Sequence, residues 1–229
     1  MPETIFEIAS SNVFESSFFR GCAALMCGKA LPFRQANPNF TRLRLELKMT
    51  RISKDNPFYY LTSVANNRLP VFRTDKLKEL TANALNEAGK SAEILIFAYV
   101  IMPDHYHLIT DGKRKPSEVL RYTNGIAARR VINYLKENNF TNSLEKLRQE
   151  TKKREYKYSL WEHHPNAFLL TNEATLMQKV NYIHQNPVRA GLVDKAEDYL
   201  YSSVRIWHRE PLENEPLAAD IDKITWREA

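Results

Sequence analysis

The sequence lacks the features on which extracellular and membrane proteins usually depend. It has only two cysteines, Cys22 and Cys27, with no CxxC pattern and no second pair, so neither a disulfide framework nor a zinc finger is expected. No apolar run approaches the roughly 20 residues that span a bilayer, and the first residues lack the basic region of a secretory signal. We therefore expect a cytoplasmic protein that does not enter a membrane.

The chain has an excess of positive charge that is concentrated in one segment. The net charge is +6 and the isoelectric point is near 9.2, values that suit a polyanionic partner without proving one. Residues 113–158 contain 13 Lys or Arg and 5 Asp or Glu, a local charge of +8. Solvated helix faces are the ordinary interpretation of such a segment, and a nucleic-acid surface is the functional one.

The 229 residues divide into three parts. Residues 1–48 show no clear period and are expected to be an N-terminal extension of unclear order. Residues 49–210 are expected to form the main domain, and residues 211–229 are polar and acidic and suggest a loose C-terminal tail. Met49 opens the main domain, so a translation start at Met49 is an alternative that peptide mass mapping would test.

The predicted elements alternate between strands and helices. Aromatic and β-branched residues at 58–64 indicate a strand, and the apolar segment 93–102 followed by 105–110 indicates a hairpin. Helices are predicted at 74–89, with Gly89 as its stop, at 116–137, and from Asn172 to about Asn186, where Pro187 ends it. A further candidate strand lies within 159–170. This order predicts an α+β fold with helices packed on an antiparallel sheet.

Two short motifs carry the candidate chemistry. In a strand, side chains alternate between faces, so His105 and His107 project from one face and can share a cation. In the last helix, Tyr182 lies off the apolar stripe, and Asn186 lies one turn beyond it on the same polar face. That stripe consists of Leu176, Met177, Val180 and Ile183.

A phenol has a pKa near 10, so a tyrosine nucleophile needs help at neutral pH. A cation held by His105 and His107 could supply it by polarising a phosphate oxygen, with the amide oxygen of Asn186 as third ligand. Mg²⁺ or Mn²⁺ suits this donor set, and Mn²⁺ better matches mixed nitrogen and oxygen ligands. A His-x-His strand alone is a weak signal, since chance, a satisfied histidine pair or a zinc site in an unrelated hydrolase also explain it.

The motifs resemble those of the REP-associated tyrosine transposases, within the His-hydrophobic-His single-tyrosine superfamily. The resemblance covers roughly residues 50–207 and lies in FYYLTSVANNRLPVF, AYVIMPDHYHLI, YSLWEHHP, KVNYIHQNPVRAGLV and DYLYSSVR. It implies a ferredoxin-like catalytic domain that cleaves single-stranded DNA with hairpins or inverted repeats. It also implies a covalent 5′-phosphotyrosine and a free 3′-OH that permits strand transfer.

The resemblance also assigns roles to individual residues. The family's nucleophile falls on Tyr182, its histidine pair on His105 and His107, and its third ligand on Asn186. Tyr106, between the histidines, is expected to pack on the opposite face of the sheet. For DNA contacts we expect phosphate-binding cations and an exposed indole for base stacking: Arg121, Arg129, Arg130, Lys152, Lys153, Arg154 and Trp161.

Two alternatives from other classes stay open. One is a DNA-binding protein of repeat elements that has lost catalysis, which the intact set of site residues disfavours. The other is a His-x-His metal hydrolase of small molecules, which would need further ligands that the remaining histidines do not supply. The sequence gives no basis for choosing between a monomer and a homodimer that exchanges the tyrosine helix.

Overall fold

A computed structural model describes residues 49–149, 157–163 and 166–226. The N-terminal extension and both cysteines lie outside these residues. The strands are β1 Thr50–Arg51, β2 Phe58–Val64, β3 Ile96–Ile101, β4 His105–Thr110, β5 Asn166–Leu170 and β6 Ile224–Thr225. The α-helices are α1 Asp75–Ala92, α2 Pro116–Glu137, α3 Thr141–Lys146, α4 Glu173–His184, α5 Asn186–Arg189 and α6 Val204–Trp207, and single 3₁₀ turns lie at Asn66–Arg68, Ala196–Asp198 and Ile221–Lys223.

The central sheet has four strands in the order β3-β4-β2-β5. Every neighbouring pair is antiparallel. Along the chain the elements run β2, α1, β3, β4, α2, β5, and this succession with this strand order is the ferredoxin-like arrangement. The predicted fold class is therefore confirmed.

The two long helices cover one face of the sheet. Helices α1 and α2 pack against each other and against the sheet. From β4, the Tyr106 hydroxyl bonds Thr123 at 3.0 Å and Asn124 at 2.5 Å, both on α2, so Tyr106 faces that layer as expected. Because side chains alternate along a strand, His105 and His107 project from the opposite face.

Helix α1 begins as predicted but ends later. The Thr74 hydroxyl accepts a hydrogen bond from the Leu77 backbone N–H, which caps the start. The expected stop at Gly89 is wrong, since the helix continues to Ala92 and Glu93 adopts the left-handed conformation that reverses the chain. A Cβ at Gly89 would lie 3.3 Å from the Ile94 carbonyl oxygen, so close packing explains this glycine.

Helix α4 carries Tyr182 on the histidine side of the sheet. The Asn172 side chain accepts from the Thr175 backbone N–H and caps the helix as predicted. The helix ends at His184, and a separate short helix starts at Asn186, because Pro187 cannot continue the hydrogen-bond ladder. Placing Met177 on the apolar stripe is wrong, since its side chain is exposed.

The C-terminal segment protects the outer strand β3. Backbone groups of Tyr201 and Ser203 hydrogen-bond to this edge, and Asp220 extends the pairing. Beyond Pro211 the expected loose tail does not describe the structure, because Leu217 is buried and β6 pairs with β1. An edge strand with unpaired backbone groups invites aggregation, and this segment removes that hazard.

None of the helices within the described ranges combines the length and the apolar character that crossing a bilayer requires.

Candidate active site

The two histidines of β4 form the floor of the site. Their ring centroids lie 4.8 Å apart. The His105 Nδ1 lies 2.5 Å from an Asp104 carboxylate oxygen. A carboxylate only accepts, so Nδ1 carries a proton, and in the neutral form of the ring Nε2 keeps its lone pair. In many metal sites a carboxylate orients a metal-binding imidazole in this way.

His107 is held in place by two hydroxyls of the neighbouring strand β2. Its Nδ1 lies 2.9 Å from the Tyr60 hydroxyl and 2.8 Å from the Thr62 hydroxyl. Both hydroxyls can accept from an Nδ1–H, and in that tautomer Nε2 is free. Burial of the ring lowers the pKa of His107 to about 3, and His105 and the cations of Arg189 and Lys179 add to this effect. The ring is therefore neutral at physiological pH, as a metal ligand must be.

Tyr182 lies beside these histidines in the same chain. Its ring centroid is 5.8 Å from that of His107, in an edge-to-face contact. Its side chain is 43% exposed, so the phenol can meet a substrate that approaches from solvent. Tyr182 and the two histidines of one chain therefore lie side by side.

Two cations flank the Tyr182 ring. The Arg189 guanidinium carbon lies 4.2 Å from the ring centroid, and the same guanidinium donates to the Tyr182 carbonyl at 2.8 Å. The Lys179 ammonium lies 5.5 Å from the ring on α4. Positive charge at these positions would stabilise negative charge on a phosphate or on a phenolic oxygen.

A second phenol, Tyr60, also lies in the site but differs in its surroundings. Its ring packs edge-on against Tyr182 at 6.2 Å between centroids. Burial raises the pKa of Tyr60 to about 12. Its hydroxyl is bound to His107, so this phenol is suited to orient the imidazole rather than to attack a substrate.

The donor set fits a divalent cation in part. In the tautomers that carry the proton on Nδ1, the two imidazoles offer their Nε2 lone pairs, and within the described ranges no group of three or more His, Cys, Asp or Glu side chains could hold a metal. Asn186 is the first residue of α5, and its Nδ2 is buried without a hydrogen-bond partner in the described part of the chain. An amide Nδ2 only donates, so a cation at this position would take the Oδ1 of Asn186, the acceptor of the same side chain.

The predicted DNA-binding residues are only partly brought together. Arg121, Arg129 and Trp161 line one groove of about 910 Å³ beside α2, on the face away from the histidines. Arg130 lies outside it and pairs with Glu87, which also pairs with Arg129 at 3.9 Å. Lys152, Lys153 and Arg154 lie outside the described residues.

The expectation that Trp161 is exposed is wrong. Its side chain is 9% exposed, its Nε1 donates to the Asn124 carbonyl at 2.9 Å, and its ring packs against Phe72 and Tyr106. The ring therefore completes the core beneath α2 and leaves little surface for a base.

Sequence reasoning assigned no site role to several residues that contact the motif side chains. Tyr60 and Thr62 reach His107 because the register pairs Thr62 with His107 across β2 and β4. Asp104 lies between β3 and β4, outside the two motifs. The position of Lys179 one turn before Tyr182 was the one available signal, and Arg189 had none, because its contact depends on the break between α4 and α5.

The sequence of this chain matches the model of a known protein family. Residues 54–186 match the model of the family described as Transposase IS200 like. The match covers more than half of the chain and contains His105, His107, Tyr182 and Asn186. The chain belongs to the IS200-like transposase family, and the prediction of a transposase enzyme is confirmed.

The individual relatives and solved structures share less than 30% sequence identity with this chain. A Haemophilus influenzae protein described as a candidate REP-associated tyrosine transposase is 29% identical over 155 residues, 66% of this chain and 80% of that protein. A solved REP-associated tyrosine transposase bound to a REP hairpin is 20% identical, with 72% of this chain and 87% of the other covered and a TM-score of 0.46. A candidate transposase of Deinococcus radiodurans is 18% identical, with 57% and 90% covered and a TM-score of 0.38.

Proposed function

We propose that the protein is a metal-dependent single-stranded DNA endonuclease and strand transferase that acts through a covalent 5′-phosphotyrosine at Tyr182. The observation that carries this proposal is the position of an exposed phenol 5.8 Å, centroid to centroid, from His107, on the face that also carries His105. Family membership supplies the reaction class. The name of the Haemophilus relative makes REP elements the substrate class to test, and the motif resemblance implies hairpins or inverted repeats in that DNA.

The proposed reaction conserves one phosphodiester at each step. The Tyr182 oxygen loses its proton and forms a bond to phosphorus, the bond from phosphorus to the 3′ oxygen breaks, and the freed 3′ oxygen takes a proton. A 3′-OH of another strand then reverses these events and releases the tyrosine. Arg189 and Lys179 stabilise the added negative charge and hold the phenol in position.

Mg²⁺ or Mn²⁺ is the proposed cofactor, with His105, His107 and Asn186 as its protein ligands. When bound, the ion would neutralise phosphate charge and polarise a phosphate oxygen. Asp104 and the hydroxyls of Tyr60 and Thr62 would orient the two imidazoles.

The test compares the two phenols of the site on a hairpin oligonucleotide with single-stranded flanks. Tyr182→Phe should abolish cleavage and leave DNA affinity almost unchanged, whereas Tyr60→Phe should retain cleavage at a reduced rate. His105→Ala and His107→Ala should each remove metal-dependent cleavage. Cleavage by Tyr182→Phe, or full activity of the parent protein in chelator, would contradict the proposal.

A further inference from the structure

An exposed aromatic side chain lies beside the site on the edge strand β5. Phe168 pairs in register with Tyr60 of β2, and partners in an antiparallel pair project from the same face. Its ring is therefore on the face that carries the histidines. It is 55% exposed, although the strand that bears it is part of the central sheet.

Exposure of one apolar ring is common on protein surfaces and indicates little by itself. The distinguishing feature of Phe168 is a shared cation. The Lys179 ammonium lies 5.3 Å from the Phe168 ring centroid, 4.9 Å from that of Tyr60 and 5.5 Å from that of Tyr182. One positive charge thus joins the exposed ring to the phenol that the proposed reaction uses.

We infer that Phe168 and Lys179 form a subsite for one unpaired nucleotide next to the scissile phosphate, an inference that rests on the proposed function. The base stacks on the Phe168 ring, and the Lys179 ammonium, which also lies beside Tyr182, pairs with the scissile phosphate to which this nucleotide is attached. Single-stranded DNA is recognised in general by aromatic rings for the bases and cations for the backbone. Phe168 is a positioning residue here, since it touches the strand and not the reacting atoms.

The neighbouring residue provides a matched control. Leu169 is 49% exposed on the same strand but pairs with Tyr59, so it projects from the other face. Loss of either side chain removes a comparable exposed apolar group from the edge strand. Only loss of Phe168 removes a stacking surface next to the site.

The test uses the full chain with Tyr182→Phe, so that bound DNA is not cleaved, and hairpin oligonucleotides with 2-aminopurine at successive unpaired positions. We expect fluorescence quenching at one position beside the cleavage point. Phe168→Ala should remove this quenching and weaken binding about fivefold to a hundredfold, the range for one lost stack. Phe168→Tyr should retain both properties, and Leu169→Ala should change neither.

Kinetics with the intact nucleophile give a second readout. Phe168→Ala should raise KM and leave the cleavage rate at saturating DNA within about twofold, because the chemistry at phosphorus is unchanged. Binding and quenching by Phe168→Ala equal to those of the parent, or equal losses in Phe168→Ala and Leu169→Ala, would overturn the subsite while cleavage by the parent still supports the proposed function. A parent protein that neither binds nor cleaves these oligonucleotides would overturn both.

Discussion

Single side chains around His105 and His107 determine whether the imidazoles can serve as ligands. Asp104 accepts a hydrogen bond from His105 and forms an ion pair with Arg68, whose guanidinium nitrogen lies 3.1 Å from the carboxylate oxygen. Burial acts to raise the pKa of Asp104, but the His105 hydrogen bond, with the charges of His105 and Arg68, holds it below its ordinary value. The carboxylate is therefore ionised and fixes the His105 tautomer.

Removal of this carboxylate should weaken the proposed metal site. Asp104→Ala leaves the His105 ring free to rotate and to change tautomer, so we expect Mn²⁺ affinity to fall about 10- to 100-fold in a calorimetric titration. Arg68→Ala is the matched control, since it removes only the exposed partner of Asp104 and should change the affinity little. Equal affinity in Asp104→Ala and the parent would show that this carboxylate does not orient a ligand.

A buried histidine outside the site should make stability depend on pH. Burial lowers the pKa of His184 to about 3, with a smaller effect of His208, and its Nε2 lies 3.0 Å from the Ser203 hydroxyl. Between about pH 6.5 and 3 the unfolded chain binds a proton that the folded chain excludes. The free energy of unfolding should therefore fall as the pH is lowered, by up to about 1.4 kcal/mol per pH unit for this group.

His184→Gln isolates this contribution, because His107 acts in the same direction in both proteins. The free energy of unfolding is measured in urea, with chelator present, at several pH values. Its slope against pH should be smaller in the variant by the amount that corresponds to about one proton. Parallel slopes in the two proteins would contradict the assignment.

The sequence identified the residues with motif spacing and missed those that depend on pairing across the sheet. His105, His107 and Tyr182 follow from strand alternation, helix periodicity and family resemblance. Tyr60 reaches His107 through a register between residues 47 positions apart, which local pattern does not determine. Trp161 was misplaced for a related reason, since its bridge to Ala65 and its contacts with Phe72 and Tyr106 join residues that are far apart in the sequence.

At the level of elements, the strands and long helices were predictable because each has its own period and capping residues. Helix α2 has the predicted bounds, and the Asn172 cap of α4 was expected. The C-terminal segment that covers β3 was not predictable, because its conformation depends on hydrogen bonds from the buried side chain of Arg205. The buried guanidinium makes two 3.0 Å bonds to Glu215 and also bonds the carbonyls of Glu197, Tyr199, Leu200 and Ser202, a network that a linear pattern does not reveal.

Replacement of two glycines by alanine should change the free energy of unfolding in opposite directions. After β4, a Cβ at Gly112 would lie 2.0 Å from the Pro57 carbonyl oxygen, so Gly112→Ala requires a backbone shift. We expect a loss of at least about 2 kcal/mol in the free energy of unfolding. Within α2, a Cβ at Gly125 meets no atom within 4 Å, so Gly125→Ala should add about 0.5–1 kcal/mol.

Urea midpoints of the two variants check both signs in one experiment. Stabilisation by Gly112→Ala would show that the segment after β4 does not approach the turn before β2 as closely as described, and a loss of stability in Gly125→Ala would contradict the open space at that position.

For the molecule as a whole, the placement of Tyr182 predicts that one chain completes the active site. Variants that lack different parts of the site should then fail to complement each other. We expect an equimolar mixture of His105→Ala and Tyr182→Phe to show no more cleavage of hairpin DNA than either variant alone. Recovery of up to about a quarter of the parent activity, the share of sites that random exchange of helices between two protomers would restore, would instead demonstrate a site shared between chains.

The most direct measurement of the central claim is the identity of the side chain that becomes joined to DNA. The protein is incubated with Mn²⁺ and a hairpin oligonucleotide, digested with protease and nuclease, and the peptides are mapped by mass spectrometry. The account predicts a nucleotide remnant on the peptide that contains Tyr182 and none on the peptide that contains Tyr60. A remnant on Tyr60 or on another residue, or cleaved DNA with no protein adduct, would contradict it.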